Sequence, residues 1–132
     1  MKADRMAADQ VLQDIADYVI DFKVESEEAI NTARNCLIDT IGCGLLALKY
    51  SNCTRHLGPL VPGTTVENGS RVFGRSFELD PVKAAWDIGA LVRWLDFNDT
   101  WLAEEWGHPS DNLGAIMALS DYISRVNIAN HK

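Results

Sequence analysis

Apolar residues recur at intervals of three and four along most of this chain, and a polypeptide patterned in that way folds as helices that each bury one face. Val11, Leu12, Ile15, Val19 and Phe22 fall on one side of a first predicted helix, Val11 to Phe22. A second is predicted to start after Ser26, whose hydroxyl suits an N-cap, with Glu27 and Glu28 in the first turn where carboxylates favour the positive end of the dipole. Its apolar face runs through Ile30, Ala33, Leu37, Ile41, Leu45 and Leu48. Gly42 and Gly44 would each cost an exposed helix roughly 1 kcal/mol relative to Ala, so both are read as points where a neighbouring backbone comes close. They do not read as a phosphate loop, because no strand precedes them and no GK[ST] follows.

From Lys49 to Leu79 the helical period is broken by Pro59, Pro62, Gly63, Asn68, Gly69 and Gly74, which predicts a long loop. A small hairpin is expected inside it, with Thr65-Val66 and Arg71-Val72-Phe73 flanking an Asn68-Gly69 turn. His56 lies in this loop with no ligand partner nearby and reads as a solvent-facing or hydrogen-bonded histidine. Asp80-Pro81 then supplies an N-cap and first helical residue for a third helix, carrying Val82, Ala85, Trp86, Gly89, Val92 and Arg93 and ending near Trp94. Ser110 is the expected cap of a fourth, in which a face of Leu113, Met117, Ser120 or Asp121, and Ser124 alternates with a more apolar one of Ile116, Leu119, Ile123 and Val126. The predicted fold class is mainly α: about four helices with a loop or small hairpin insertion, and no internal repeats.

Charge and apolar content exclude several functions. A formal charge of -7 and a sequence pI near 4.8 leave no clustered cations to neutralise phosphates, so a nucleic-acid partner is not expected. No run approaches the roughly 20 apolar residues that cross a bilayer, so no membrane partner is expected either. The start, MKADRMAADQ, mixes acids and bases without an apolar centre and does not read as a leader; the cytoplasm is the expected compartment, with a mitochondrial-matrix relative left open. Cys36, Cys43 and Cys53 lack the C-x-x-C spacing of zinc or iron–sulfur ligation and read as buried or inert thiols, so no metal site is expected.

The segment LDFNDTWLAEEWGHPSDN, residues 95–112, is polar and aromatic at once and joins the third helix to the fourth, where loops held by rigid elements tend to carry chemistry. It supplies the carboxylates Asp96, Asp99, Glu104, Glu105 and Asp111, the hydroxyls Thr100 and Ser110, the amides Asn98 and Asn112, and the imidazole of His108. Trp94, Trp101 and Trp106 are candidates for shielding it from water. His108 precedes Pro109 and Ser110, which places its ring beside the amide groups of a helix N-terminus, an anion-attracting position. A substrate carboxylate held there would sit next to an imidazole able to exchange protons near neutral pH. The plainer alternative stays open: Asp96 and Asp99 as turn or capping groups and His108 as a structural histidine.

The run RWLDFNDTWLAEEWGHPSDN beginning at Arg93 resembles closely the signature region of the MmgE/PrpD family. The resemblance extends through CLIDTIGCGLLAL from Cys36, LGPLVPGT from Leu57 and ELDPVKAA from Glu78, and so covers nearly the whole chain. It implies a lyase of propionate breakdown, a hydro-lyase that removes water from 2-methylcitrate to give 2-methyl-cis-aconitate, with no cofactor and no iron–sulfur cluster. It also implies that residues 1–132 form the N-terminal portion of a large all-helical domain, with the rest of that domain and a smaller α+β domain outside this chain, and a homodimer as the complete enzyme. Carried over by position, Asp96, Thr100 and His108 fall at the family's active-site positions. Asp96 and His108 are assigned as the catalytic, proton-handling or orienting pair, and Thr100, Ser110 and Asn112 as contacts to the small-molecule tricarboxylate substrate. The long spacer TWLAEEWGHPSD favours the dehydrating branch over members that decarboxylate cis-aconitate.

Elimination of water next to a carboxylate needs stabilisation of a developing enediolate and an acid for the departing hydroxyl. Between Trp94 and Asn112 there is no Lys or Arg, and five carboxylates there would repel a tricarboxylate unless cations enter from elsewhere. The isolated chain is therefore expected to be inactive. Two other readings remain: a catalytically inactive helical interaction or assembly module derived from the family, and a dehydratase acting on citrate or cis-aconitate, since one methyl discriminates by only about 1 to 3 kcal/mol.

Overall fold

Asp9 starts the first helix by accepting a hydrogen bond from the Val11 amide at 2.9 Å, and α1 follows over Gln10–Asp21 in the computed structural model, which describes residues 9–131. The leader reading at the start of the chain lies mostly outside those residues. After a short extended stretch α2 runs over Glu27–Ala47, with Glu27 and Glu28 in its first turn and Ser26 Oγ accepting from the Ala29 amide at 3.3 Å, as the N-cap reading expects.

The chain divides into two units at Thr32–Ala33, within α2. In the first, Tyr18 and Phe22 stack at 4.8 Å between centroids, but α1 buries none of its residues. The apolar stripe predicted there forms and stays exposed, Val19 at 72%.

In the second unit, the face of α2 that goes inside is Thr40, Cys43, Gly44 and Ala47, while Leu37 and Leu45 remain exposed. The predicted face, counted on the largest side chains, is therefore corrected to one of small residues. The reason is visible at Gly44, where a Cβ would lie 2.5 Å from the tip of the Phe73 ring. Gly42 has nothing within 4 Å of the same position, so its reading as a close-approach point is overturned.

The loop contains one short helical turn, α3 (Ser51–Thr54), that the sequence reading did not anticipate. Its hairpin is also different: β1 (Ser70–Arg71) pairs antiparallel with β2 (Glu78–Leu79), with Ser70 opposite Leu79, so the turn lies at 72–77 rather than at Asn68-Gly69. Asn68 does take up a left-handed conformation (φ 56°), but the turn it makes leads into β1 and does not join two strands.

Asp80 caps α4 (Pro81–Arg93) through the amides of Val82 and Lys83, and Trp94 closes it, as predicted. The face it buries is Ala84, Asp87, Ile88, Leu91 and Val92, whereas Val82 and Trp86 are exposed. A second hairpin, β3 (Trp101–Leu102) with β4 (Trp106–Gly107), follows. A 3-10 turn over Pro109–Asn112 then leads into α5 (Leu113–Ala129).

Gly114 and Ala118 are the buried residues of α5, and Met117 packs against the core, so the helix uses the weaker of its two candidate faces. Ile116, Leu119 and Ile123 are exposed. Small residues let α4 and α5 come together: a Cβ on Gly114 would lie 2.5 Å from the Ala85 carbonyl oxygen. The core beside this contact gathers Ala47, Cys53, Val72, Leu79, Ala84, Ile88, Leu91, Val92 and Ala118. The first hairpin is fixed to α5 by Ser70 Oγ donating to the Ala118 carbonyl (2.7 Å), by Arg71 with Asp121 (2.6 Å) and by Arg125 with Glu78 (2.7 Å). The segment 94–112 joins the end of α4 to the start of α5.

Candidate active site

Arg93, the last residue of α4, reaches back over this segment and brings together three acceptors. Its Nη2 donates to Asp96 at 2.7 Å, its Nη1 to Asn98 Oδ1 at 2.9 Å, and its Nε lies 3.4 Å from Asp111. A planar guanidinium is suited to this because its donors point in fixed, divergent directions. The sequence reading counted cations only from Trp94 onward and missed it. Its position directly before the polar segment was the signal.

Asp96 sits at φ 56°, a left-handed conformation that side-chain-bearing residues seldom adopt, with its carboxylate three-quarters exposed and paired with Arg93. Asn98, only 2% exposed, passes the chain of contacts inward: its Nδ2 donates to Ser110 Oγ at 2.6 Å and to Asp99 Oδ1 at 3.3 Å.

Asp99 is the hub. Oδ1 also accepts from the hydroxyl of Thr40, which is completely buried on α2 (3.2 Å), and Oδ2 accepts from the Ser110 amide (3.0 Å). The anion at the mouth of the last helix is thus Asp99 itself. The expectation that Ser110 caps that helix with its own side chain, leaving the amides free for substrate, is corrected: Ser110 is buried, its Oγ is engaged with Asn98, and the Asp111 amide donates to the His108 carbonyl. Neither Asn112 nor His108 makes a side-chain cap.

His108 is half-buried on the strand side of the 3-10 turn. Its Nδ1 lies 2.7 Å from the carbonyl oxygen of Asp99, and a carbonyl oxygen only accepts, so Nδ1 carries the proton. In the neutral ring the lone pair then belongs to Nε2. Thr100 Oγ1 is 3.5 Å from Nδ1 and donates to the Asn98 carbonyl at 3.3 Å, and Trp106 meets the imidazole edge-on at 5.6 Å between centroids. The structure therefore brings together His108 and Thr100, and separately Asp96 with Arg93. Trp101 and Trp106 are more than half exposed, so the expected tryptophan wall reduces to the one edge contact of Trp106.

Three of the five carboxylates have internal partners: Asp96 and Asp111 through Arg93, Asp99 through Thr40, Asn98 and Ser110. The repulsion expected for a tricarboxylate is reduced by the one positive charge of Arg93, with Glu104 and Glu105 left in the exposed tip of the second hairpin. Among the described residues no group of three or more His, Cys, Asp and Glu is placed to hold a metal ion. Burial, followed by the charges of Asp99 and Asp39, pushes the Cys36 thiol up; burial does the same to Cys43 and Cys53, which keeps all three thiols protonated at neutral pH. A groove of about 580 Å³ lies away from this region, lined by residues of the loop such as Arg55, Pro62, Thr64 and Phe77. No helix among the described residues is long and apolar enough to cross a membrane.

Residues 13–130 match the family model described as the MmgE/PrpD N-terminal domain. The chain is similar to a 2-methylcitrate dehydratase of Cupriavidus necator, 65% identical over 127 residues, covering 96% of this chain and 26% of that protein. A 2-methylcitrate dehydratase of Escherichia coli is 59% identical over 94% of this chain and 26% of its own length. The mitochondrial 2-methylcitrate dehydratase of Yarrowia lipolytica is 56% identical over 92% of this chain and 23% of its own. The chain spans about a quarter of the length of the curated relatives it matches.

Proposed function

Since the chain belongs to the MmgE/PrpD family, within its N-terminal domain, we propose that it supplies one wall of the active site of a 2-methylcitrate dehydratase, a hydro-lyase that works without an iron–sulfur cluster. The observation that carries this reading is the imidazole of His108 beside Thr100, with Nδ1 committed to a backbone carbonyl and Nε2 left as its basic nitrogen.

In that reaction Nε2 of His108 takes the proton from the carbon next to a substrate carboxylate, and the C–H electron pair forms the new double bond as the β-hydroxyl departs. Asp96, held by Arg93, orients the substrate hydroxyl, and Thr100 and Asn112 offer hydrogen bonds to its carboxylates. Ser110 acts from behind, through Asn98. The cations that stabilise the enediolate and the acid that protonates the leaving hydroxyl come from outside this chain. The complete enzyme is a homodimer acting on a free tricarboxylate in an aqueous compartment, the cytoplasm in a bacterial setting.

The test is His108→Ala in a polypeptide of the relatives' full length that carries this segment, followed by the absorbance of the conjugated product formed from 2-methylcitrate. Loss of turnover by roughly 10²–10⁴-fold, the contribution of a positioned acid–base group, is expected. Unchanged turnover overturns the assignment. Running citrate in parallel measures how much the extra methyl matters.

A further inference from the structure

The carboxylate of Asp99 is assigned no step in the proposed reaction, yet three donors converge on it. Thr40 on α2, Asn98 in the loop and the amide of Ser110 in the 3-10 turn all donate to it. These donors come from three separate pieces of chain, so together they fix the residue in place and in rotation. Its own carbonyl is then aimed at His108 Nδ1 at 2.7 Å. An imidazole in water populates both neutral tautomers, and a single well-placed acceptor at one nitrogen selects the form protonated there.

We propose that Asp99 is a positioning residue: anchored through its carboxylate by Thr40, Asn98 and Ser110, it holds His108 in the one neutral tautomer whose Nε2 is basic. Thr40 is the distant part of the device. It is wholly buried, 59 positions earlier in the chain, and its hydroxyl is the link from α2 to the site. Replacing Asp99 by Asn breaks the set, because an amide that turns its oxygen to the Ser110 amide presents its NH2 to the NH2 of Asn98.

The catalytic consequence rests on the dehydratase reading, whereas the tautomer does not, and the experiment separates them. The 132-residue chain, labelled with nitrogen-15 at its three histidines, His56, His108 and His131, is observed by long-range nitrogen–proton correlation at a pH where neutral imidazole predominates, with His108→Gln assigning the signal. The expected result for His108 is a protonated Nδ1 and a bare Nε2. In Thr40→Val the signature shifts toward the averaged pattern of a free ring, and in Thr40→Ser, which restores the hydroxyl, it returns. Asp99→Asn gives the averaged pattern too; should that variant fail to fold, the Thr40 pair decides the question alone. A protonated Nε2 in the parent chain overturns the proposal, and so does a His108 signature that Thr40→Val leaves unmoved.

In the full-length enzyme Thr40→Val is expected to lower kcat more than it changes KM, with Thr40→Ser restoring it. If His108→Ala leaves turnover intact while the tautomer behaves as described, the dehydratase assignment falls and the positioning role of Asp99 stands.

Discussion

Lys83 sets its ammonium against the carboxylate of Asp87 one helical turn later, and Asp87 is completely buried. The second oxygen of that carboxylate accepts from the Gly58 amide at 2.8 Å, and Lys83 also donates to the His56 carbonyl at 3.2 Å, so the pair fastens the long loop to α4. Removing one member of a buried pair strands the other in a medium that does not solvate it. Lys83→Met is therefore expected to destabilise the protein by roughly 3 to 5 kcal/mol, read from the urea unfolding midpoint. A loss below about 1 kcal/mol, the ordinary value for an exposed pair, would mean that water reaches Asp87.

Two glycines test the packing account in opposite directions. Gly114 faces the backbone of α4 with no room for a methyl group, so Gly114→Ala must push α4 and α5 apart and is expected to cost about 1 to 3 kcal/mol. Gly42 lies exposed on α2 with open space around it, and Gly42→Ala is expected to add up to about 1 kcal/mol of stability from helix propensity alone. Thermal midpoints of the two variants should move to opposite sides of the parent.

The clamp between the first hairpin and α5 predicts an acid sensitivity. Hydrogen bonding from the Arg71 guanidinium, and to a lesser degree from its backbone amide, holds the Asp121 carboxyl below its usual range, against the opposing effect of partial burial. A carboxyl depressed in the folded state adds stability above its unfolded pKa and loses it as pH falls through the folded value. Asp121→Asn should thus melt below the parent at neutral pH, with the gap closing as pH drops beneath the normal aspartate range. A gap that stays constant down to acid pH would remove the ion pair as its cause.

The helices and their starts were legible in the sequence because they are local. Asp80-Pro81 and Ser26-Glu27-Glu28 carry their signals within one turn, and the structure places both helices where those signals put them. The buried faces were less legible, since side-chain size does not mark them. Gly44, against the Phe73 ring, and Gly114, against α4, show that close packing here is made by the smallest residues, leaving Ile116 and Leu45 outside, and only the partner element decides that. At the site, the residues of the 95–112 run were identifiable as a group from their chemistry. Thr40 was not, because nothing local links position 40 to position 99.

Arg93 allows stability and chemistry to be separated at the site. Its bond to Asn98 Oδ1 satisfies an amide that is 2% exposed, whereas its bond to Asp96 reaches a carboxylate that is three-quarters exposed. Arg93→Met leaves the Asn98 oxygen buried without its donor and is expected to cost about 1 to 3 kcal/mol. Asp96→Asn changes an exposed group and is expected to stay within about 0.5 kcal/mol of the parent. Turnover in the full-length enzyme should fall in both, because each releases the orientation of residue 96. An Asp96→Asn enzyme that is as stable and as fast as the parent would leave the left-handed backbone at that position as a turn and nothing more.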